Sequence, residues 1–513
     1  MFCTQKAVSV PLPEVAMKVI PTFHSLGVAA VAVTSAAAVV ASPVMTPAWA
    51  SAARTVVAEV ALLDNVALVM GGSGTPIPGT WDFHWADQYL SHLGYGGYTM
   101  QGVFTPEGLY PGTGVKSLPL DTSVDQGVQM LDATLRDRIA AGDNVVVYGV
   151  SQSAVLSSIE MNQLLSSGSA PDPDQLSFVL IANEMFPNGG LLSRFAVPDV
   201  PLYIPSMGID FYGGTPDTPY ATDIYIAEYD GFSDFPRYPL NFLSTLNAVL
   251  GIALVHGPGY SRPDSIDSAQ LLLGSTNYDG PLTLPDGASA ALNTDYYMIP
   301  TEILPLLQPL LGIPVIGEPL YDLLEPVTRI LIDLGYGNVD TYVDGELTHG
   351  GWDMGPANLL TTYGVFPDID VFTLLNSLAQ GAQHGFNDFI YDLGHLSLGG
   401  PADALGSGMD FALPSLLDVV NTFSGAASTL YSVLLPTADI INALLTTMPA
   451  YDISMFFNAL GNGDDLLTTL TNAIGLPLAA DVGLIPTAIG FELMSVMSAF
   501  QSIANDFADL FSA

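Results

Sequence analysis

The sequence predicts an α/β domain, a mostly parallel sheet with helices on both faces, followed by a mainly helical C-terminal region. Three observations carry this. Short continuous apolar runs, each the length of a buried strand, alternate with stretches of helical spacing. Three of the four runs give way to a loop rich in Gly, Ser or Asp, and in such folds functional residues gather at the carboxyl ends of the strands. The segment Gly149-Val150-Ser151-Gln152-Ser153 sits at one of these strand-to-helix junctions.

Residues 66–70 form the first apolar run and enter the glycine-rich loop 71–76. Residues 126–141 have helical spacing, with Met130, Leu131, Leu135 and Ile139 on one side and a stop at Gly142. The second strand is 145–148, and a helix-like stretch begins at Ala154. Residues 178–182 supply a third strand and 224–229 a fourth, which ends in the loop Asp230-Gly231-Phe232-Ser233-Asp234. A helical stretch, 242–254, then opens a Gly- and Pro-rich loop at His256.

Composition narrows the function classes. With 51 acidic residues against 10 basic ones, the formal charge is -41, which repels nucleic acid and anionic headgroups. No nucleic-acid partner is expected. Half the chain is apolar and only 12% is charged, enough for one large core or two smaller ones. Residues 1–50 read as a signal peptide: Lys6 and Lys18, an uncharged apolar stretch at 26–41, then Ala48-Trp49-Ala50 before a new start at Ser51. An uncleaved N-terminal anchor is the alternative. Met17 is itself a conventional start, so residues 1–16 can be an upstream extension. Cys3 is the only cysteine, so thiol catalysis and disulfides are not expected of the exported chain. No metal-ligand spacing stands out, and no cofactor is expected.

The motif around Ser151 reads as a nucleophile elbow, in which small residues flank a strained serine two positions either side. Ser153 stands where glycine is usual. A serine needs a histidine to take its proton and a carboxylate to orient that histidine, in the chain order Ser, acid, His. His24 falls in the signal, His84 and His92 precede Ser151, and His349, His384 and His395 lie late in the chain. His256 is therefore the expected base. Asp230 and Asp234 compete as the acid. The offset from Gly231 favours Asp234, with Asp230 bracing the loop. The oxyanion hole is expected from the backbone N–H of Gln152 and from the Gly72-Ser73 loop, to which Ser73 can add its hydroxyl.

Several segments together resemble the PE-PPE domain serine hydrolases, relatives of cutinases found in bacteria with mycolic-acid envelopes. They are 70–76, 149–153, Phe186-Pro187-Asn188-Gly189-Gly190, 228–236, Asn247-Ala248 with His256, and 297–302 with 304–307. The resemblance runs from about residue 67 to 337 and makes Ser153 an ordinary variant of the elbow. A signal peptide stands where a PE or PPE helical module often precedes this domain, which points to general secretion. The resemblance implies a cutinase-like α/β-hydrolase at 51–337: a secreted or envelope-associated esterase or lipase acting on acyl esters through an acyl-serine. Two alternatives stay open, an acyltransferase that moves fatty acyl groups onto trehalose-type glycolipids, and an envelope binding or structural protein without turnover.

Residues 338–513 contain no lysine or arginine, the last being Arg329. Apolar residues at helical spacing there, as in 372–378, 416–420, 440–445 and 491–507, predict ordinary helix packing. A lid or acyl-chain groove over the site, or contact with envelope lipid, are the functional readings of the same region. Residues 419–438 are uncharged, but Asn421, Ser424, Gly425 and Pro436 make them a poor membrane span.

Overall fold

The computed structural model describes residues 64–395 and 416–511, apart from 263, 281–282, 286, 344, 349–354 and 464. The expected signal peptide and His349 lie outside these residues.

The described residues begin with strand β1 (Asn65–Val69), helix α1 (Thr80–His92), β2 (Thr99–Gly102), α2 (Leu120–Ala141) and β3 (Asn144–Val150). There follow α3 (Gln152–Ser166), β4 (Leu176–Ile181), a small antiparallel hairpin of β5 (Tyr203–Ile204) and β6 (Ile209–Asp210), and β7 (Ala221–Ala227). Helix α4 (Phe242–Leu254), β8 (Gln270–Leu271), β9 (Thr294–Ile299) and α5 (Gly317–Asp333) complete the α/β part. One seven-stranded sheet has the order β2-β1-β3-β4-β7-β9-β8. All neighbours in it are parallel except β8 on β9.

The continuous apolar runs are explained by their two buried faces. Alternate residues of β3 divide between two cores: Val145 and Val147 join one with Leu68, Phe178 and Ile224, while Val146 and Tyr148 join the other with Val69, Val179 and Tyr225. Val124, Val128, Leu131 and Leu135 of α2 cover the first face, and Ala86, Tyr89 and Leu90 of α1 cover the second. This is the mostly parallel, doubly covered sheet of an α/β-hydrolase-like fold. Helix α2 starts six residues before the expected 126, at Leu120. Strands β2 and β9 escape a reading by apolar runs because β2 is a partly exposed edge strand and β9 alternates, with Asp295 and Tyr297 half-buried.

The C-terminal region is helical. A short hairpin, β10 (Thr341–Val343) and β11 (Glu346–Thr348), precedes α6 (Val371–Gly394), which packs on α5. Helix α7 (Leu416–Asn442) passes through one π-helical turn into α8 (Met448–Gly461), and both pack against α9 (Leu466–Phe511). Helix α9 reaches the core of the α/β part through small residues: Ala479 and Ala480 are buried, and a Cβ at Gly483 would lie 2.6 Å from the Phe195 ring. Two stretches, Leu417–Gly461 and Leu466–Asp509, are long and apolar enough to cross a membrane by length and composition. Many of their large side chains, among them Phe423, Tyr431, Leu445, Leu467 and Phe500, are exposed.

Buried carboxyls set the pH dependence of stability. Burial pushes Glu107 and Glu160 up to about 8, and Glu184 and Asp223 up to about 7. A carboxyl whose pKa is raised by folding stabilises the fold fully below its ordinary pKa, and this contribution is lost as pH rises through the raised value. His256, also raised, acts in the same sense, as does the self-repulsion of a chain with charge -41. Thermal melting of the purified protein is expected at a higher temperature at pH 5.5 than at pH 8.5. A Tm that holds constant or rises across that window would contradict this account.

Candidate active site

Ser151 forms the turn between β3 and α3, with φ 55° and ψ -124°, a conformation costly for a residue with a Cβ. The turn is tight enough that a Cβ at Gly149 would lie 2.6 Å from the Ser153 carbonyl oxygen. Ser153 clamps it. Its hydroxyl accepts from the Val150 N–H at 2.7 Å and donates to the Val150 carbonyl at 3.0 Å. Serine at the second small position therefore adds two hydrogen bonds that glycine would lack. The neighbouring strands end in the same way, Ala182 after β4 at φ 55° and Tyr229 near the end of β7 at φ 63°.

His256 follows α4 and turns back over the sheet edge. Its Nε2 lies 2.9 Å from Ser151 Oγ. Its Nδ1 lies 2.9 Å from Asp230 Oδ2 and 3.0 Å from Oδ1. The edge of the Phe232 ring system meets the imidazole at 4.7 Å between centroids. Asp230 is fully buried and also accepts from the Tyr260 hydroxyl at 2.6 Å, the Ser233 hydroxyl at 2.8 Å and the Phe232 N–H at 3.0 Å. Burial alone would raise its pKa, but His256 and these donors outweigh burial and hold it below the usual carboxylate range. Burial disfavours the imidazolium in turn, and the charge and hydrogen bond of Asp230, with Glu184 behind them, outweigh this and raise the pKa of His256.

The expectation that Asp234 faces His256 is corrected: Asp230 occupies that place. Asp230 directly follows the left-handed Tyr229, which aims its side chain along the sheet edge toward α4. The loop then folds back, with the Asp234 N–H on the Asp230 carbonyl at 2.6 Å. Asp234 Oδ2 accepts from the Tyr229 N–H at 2.8 Å, so Asp234 is the brace and the two roles are exchanged. Its Oδ1 has no hydrogen-bond partner among the described residues, and burial raises its pKa well above the carboxylate range. Of the other late histidines, His384 stacks on Tyr342 and His395 donates to the Tyr391 carbonyl.

Gln152 and Ser73 come together beside Ser151. Gln152 Nε2 donates to Ser73 Oγ at 3.0 Å and to the Gly108 carbonyl at 2.9 Å, while its Oε1 accepts from the Ser123 hydroxyl at 2.6 Å. The side chain thus ties the loop after β1 to the first turn of α3. The Ser73 hydroxyl is occupied as an acceptor in this network. The Gln152 N–H lies in that first turn, where helix N–H groups have no intrahelical partner.

Glu184, absent from the sequence reading, is the second carboxyl at the serine. The Ser151 hydroxyl donates to Glu184 Oε1 at 3.0 Å, and burial raises the Glu184 pKa to about 7 against the lowering effects of His256 and Ser151. The signal was available: Asn183-Glu184 directly follows the third apolar run, at the same sheet edge as Ser151. Ser151 lines one cavity, and its neighbour Gln152 lines a second. One, about 260 Å³, lies on the His256 side and is lined in part by Thr75, Asp82, Trp85 and Tyr260. The other is smaller and mostly apolar, with Glu184 and Gln152 in its wall.

Two negative groups that raise the His256 pKa can be tested by removing each charge. Asp230→Asn and Glu184→Gln are both expected to move the imidazole titration, followed by NMR, to lower pH, with the larger shift in Asp230→Asn. An upward shift in either variant would contradict the assignment.

Comparison with known proteins places the chain. The PE-PPE domain family model matches residues 96–337. The chain is 42% identical over 473 residues to the uncharacterised PPE family protein PPE28 of Mycobacterium tuberculosis, covering 88% of this chain and 68% of that protein. Esterase PE16 of the same organism is 44% identical over 289 residues, 55% of this chain and 51% of the esterase, so the match spans about half of that relative. A diacyltrehalose acyltransferase, again from Mycobacterium tuberculosis, is 26% identical over 284 residues, 54% of this chain and 69% of the acyltransferase. No solved structure matches the chain. By the length and identity of these matches, this chain belongs to the PE-PPE domain family.

Proposed function

We propose that this protein is a serine hydrolase of acyl esters, with Ser151 as nucleophile, His256 as base and Asp230 as acid. The observation that carries the reading is the unbroken hydrogen-bond chain from Ser151 Oγ through both His256 nitrogens to the buried Asp230, built on a strained strand-to-helix turn. The likeness to a protein named an esterase supports it.

In this mechanism Ser151 Oγ bonds to the ester carbonyl carbon as its proton passes to His256 Nε2. Negative charge develops on the carbonyl oxygen, where the Gln152 N–H at the positive end of α3 stabilises it, helped by the Gly72-Ser73 backbone. Collapse breaks the bond to the alcohol oxygen, which leaves with the His256 proton. A second hydroxylic molecule then attacks the acyl-serine, His256 takes its proton, and collapse returns that proton to Ser151. Asp230 holds the Nδ1–H tautomer throughout and stabilises the imidazolium.

Transfer to a sugar hydroxyl is the second reading. Its support is the cavity on the His256 side, where Asp82 and Thr75 offer hydrogen-bonding groups and Trp85 an apolar face, together with the acyltransferase relative. Export, with activity at the envelope lipid surface, belongs to the same proposal: the apolar exposed faces of α7, α8 and α9 suit an uncharged lipid surface better than an anionic one, because residues 338–513 contain no lysine or arginine.

Purified protein incubated with p-nitrophenyl esters, with and without trehalose, separates water from sugar as acceptor when products are read by mass spectrometry. Ser151→Ala is expected to lose about a thousandfold or more in kcat and to abolish fluorophosphonate labelling. Activity within about tenfold of the parent would overturn the nucleophile. Asp230→Asn should lower turnover by about four orders of magnitude, because the wrong imidazole tautomer then faces Ser151. Asp234→Asn should stay within about tenfold, since asparagine can still accept the Tyr229 N–H. The reverse ranking would exchange the two aspartates again.

A further inference from the structure

We infer that α9, far outside the matched family segment, builds the end wall of the acyl-chain subsite, and that Phe491 limits the length of chain the site accepts. The inference rests on the ester reading above and names the binding site for its acyl group.

The two cavities, one lined by Ser151 and the other by Gln152 and Glu184 beside it, differ in chemistry, and the mechanism assigns them. His256 Nε2 hands its proton to the departing alcohol oxygen, so the alcohol, or the acceptor that replaces it, occupies the His256 side. The acyl chain must then extend the other way, past the Gln152 N–H. On that side lies a pocket walled by Val155, Leu191, Leu192, Phe232 and Phe491, a lining suited to hydrocarbon. Its volume is about 40 Å³, a few times the roughly 10–15 Å³ that one water needs on the same measure, so the pocket is short.

What closes the pocket comes from the C-terminal region. Phe491 is 8% exposed, and its ring centroid lies 5.7 Å from that of Phe232, whose ring in turn meets His256 at 4.7 Å. The helix that carries it is fixed on both sides. One turn earlier, Thr487 is buried, and a further turn back Gly483 lies against Phe195 and Pro239. Directly after Phe491, the Glu492 carboxylate accepts from the Thr437 hydroxyl of α7. Phe491 is thus a packed wall between an apolar pocket and the helical region, and its size sets the depth of the pocket.

The test uses the full chain and p-nitrophenyl esters from acetate to dodecanoate. Each methylene in an apolar pocket is worth roughly tenfold or more in kcat/KM. Phe491→Ala is therefore expected to raise the octanoate-to-butyrate ratio of kcat/KM by about tenfold or more, and Phe491→Trp to lower it. Fluorophosphonate labelling of Ser151 and thermal melting check that each variant is folded. A ratio that stays within about twofold of the parent in folded, labelled variants would overturn the inference, as would parallel losses at every chain length. Phe491→Leu, which keeps an apolar side chain of intermediate size, should fall between parent and Phe491→Ala. Parent protein that cleaves no ester and takes no label at Ser151 would instead overturn the ester reading itself.

Discussion

The arrangement at the carboxyl edge of the sheet depends on one buried negative charge. An ionised carboxylate taken out of water costs several kcal/mol unless donors replace its hydration. Asp230 receives them from His256, Tyr260, Ser233 and the Phe232 N–H, two from its own loop and two from the segment after α4. Tyr260 is fixed further, because its hydroxyl accepts from the Ala227 N–H and its carbonyl accepts from the Tyr89 hydroxyl of α1. The charge therefore draws β7, the loop after it, the segment after α4 and, through Tyr89, α1 into one geometry. The position of His256 over Ser151 is a consequence of that geometry, since its Nδ1 is one of the donors the carboxylate requires.

The same edge holds two further carboxyls in the opposite condition. Asp234 and Glu184 are buried without comparable donors, and burial raises the pKa of each. Three acids within one short stretch of sheet edge thus divide by environment: the one with four donors stays charged, while the others are pushed toward the neutral form. Glu184 is the more consequential, because its Oε1 accepts the Ser151 hydrogen bond. The Ser151 hydroxyl has a single proton, so the bond it makes to Glu184 competes with the bond to His256 Nε2. Protonation of Glu184 weakens that competition, and ionisation strengthens it.

Much of this was legible in the sequence, for identifiable reasons. Strands buried on both faces write themselves as unbroken apolar runs, so β1, β3, β4 and β7 could be read directly, and with them the loops at their ends. Ser151 and His256 followed from chain order and from the small number of histidines. The acid did not. Two aspartates four residues apart in one loop differ only in which way the backbone turns after Tyr229, and that left-handed residue has no sequence mark. Glu184 was missed because a lone acid after a strand has many ordinary explanations. Its meaning comes from the lateral approach of β3 and β4, which brings residues 33 apart within hydrogen-bond distance.

The helical region and the α/β part are joined by chemistry that the region itself lacks. Residues 338–513 have no lysine or arginine, so any cation at the junction must come from the other side. Arg194 supplies one. Its guanidinium is fully buried and donates to the Thr361 carbonyl at 2.6 Å, to the Phe235 carbonyl at 3.2 Å and to Asn188 Oδ1 at 3.4 Å. Burial lowers its pKa to about 9, with Asp234 acting to raise it, so it stays charged at neutral pH. The aspartate that turned away from His256 therefore has an electrostatic partner on the inner side of the same loop. A single loop, 230–234, faces the imidazole with its first residue and the buried arginine with its last. Through Thr361 that arginine holds the chain leading toward α6 to the loop that carries Asp230.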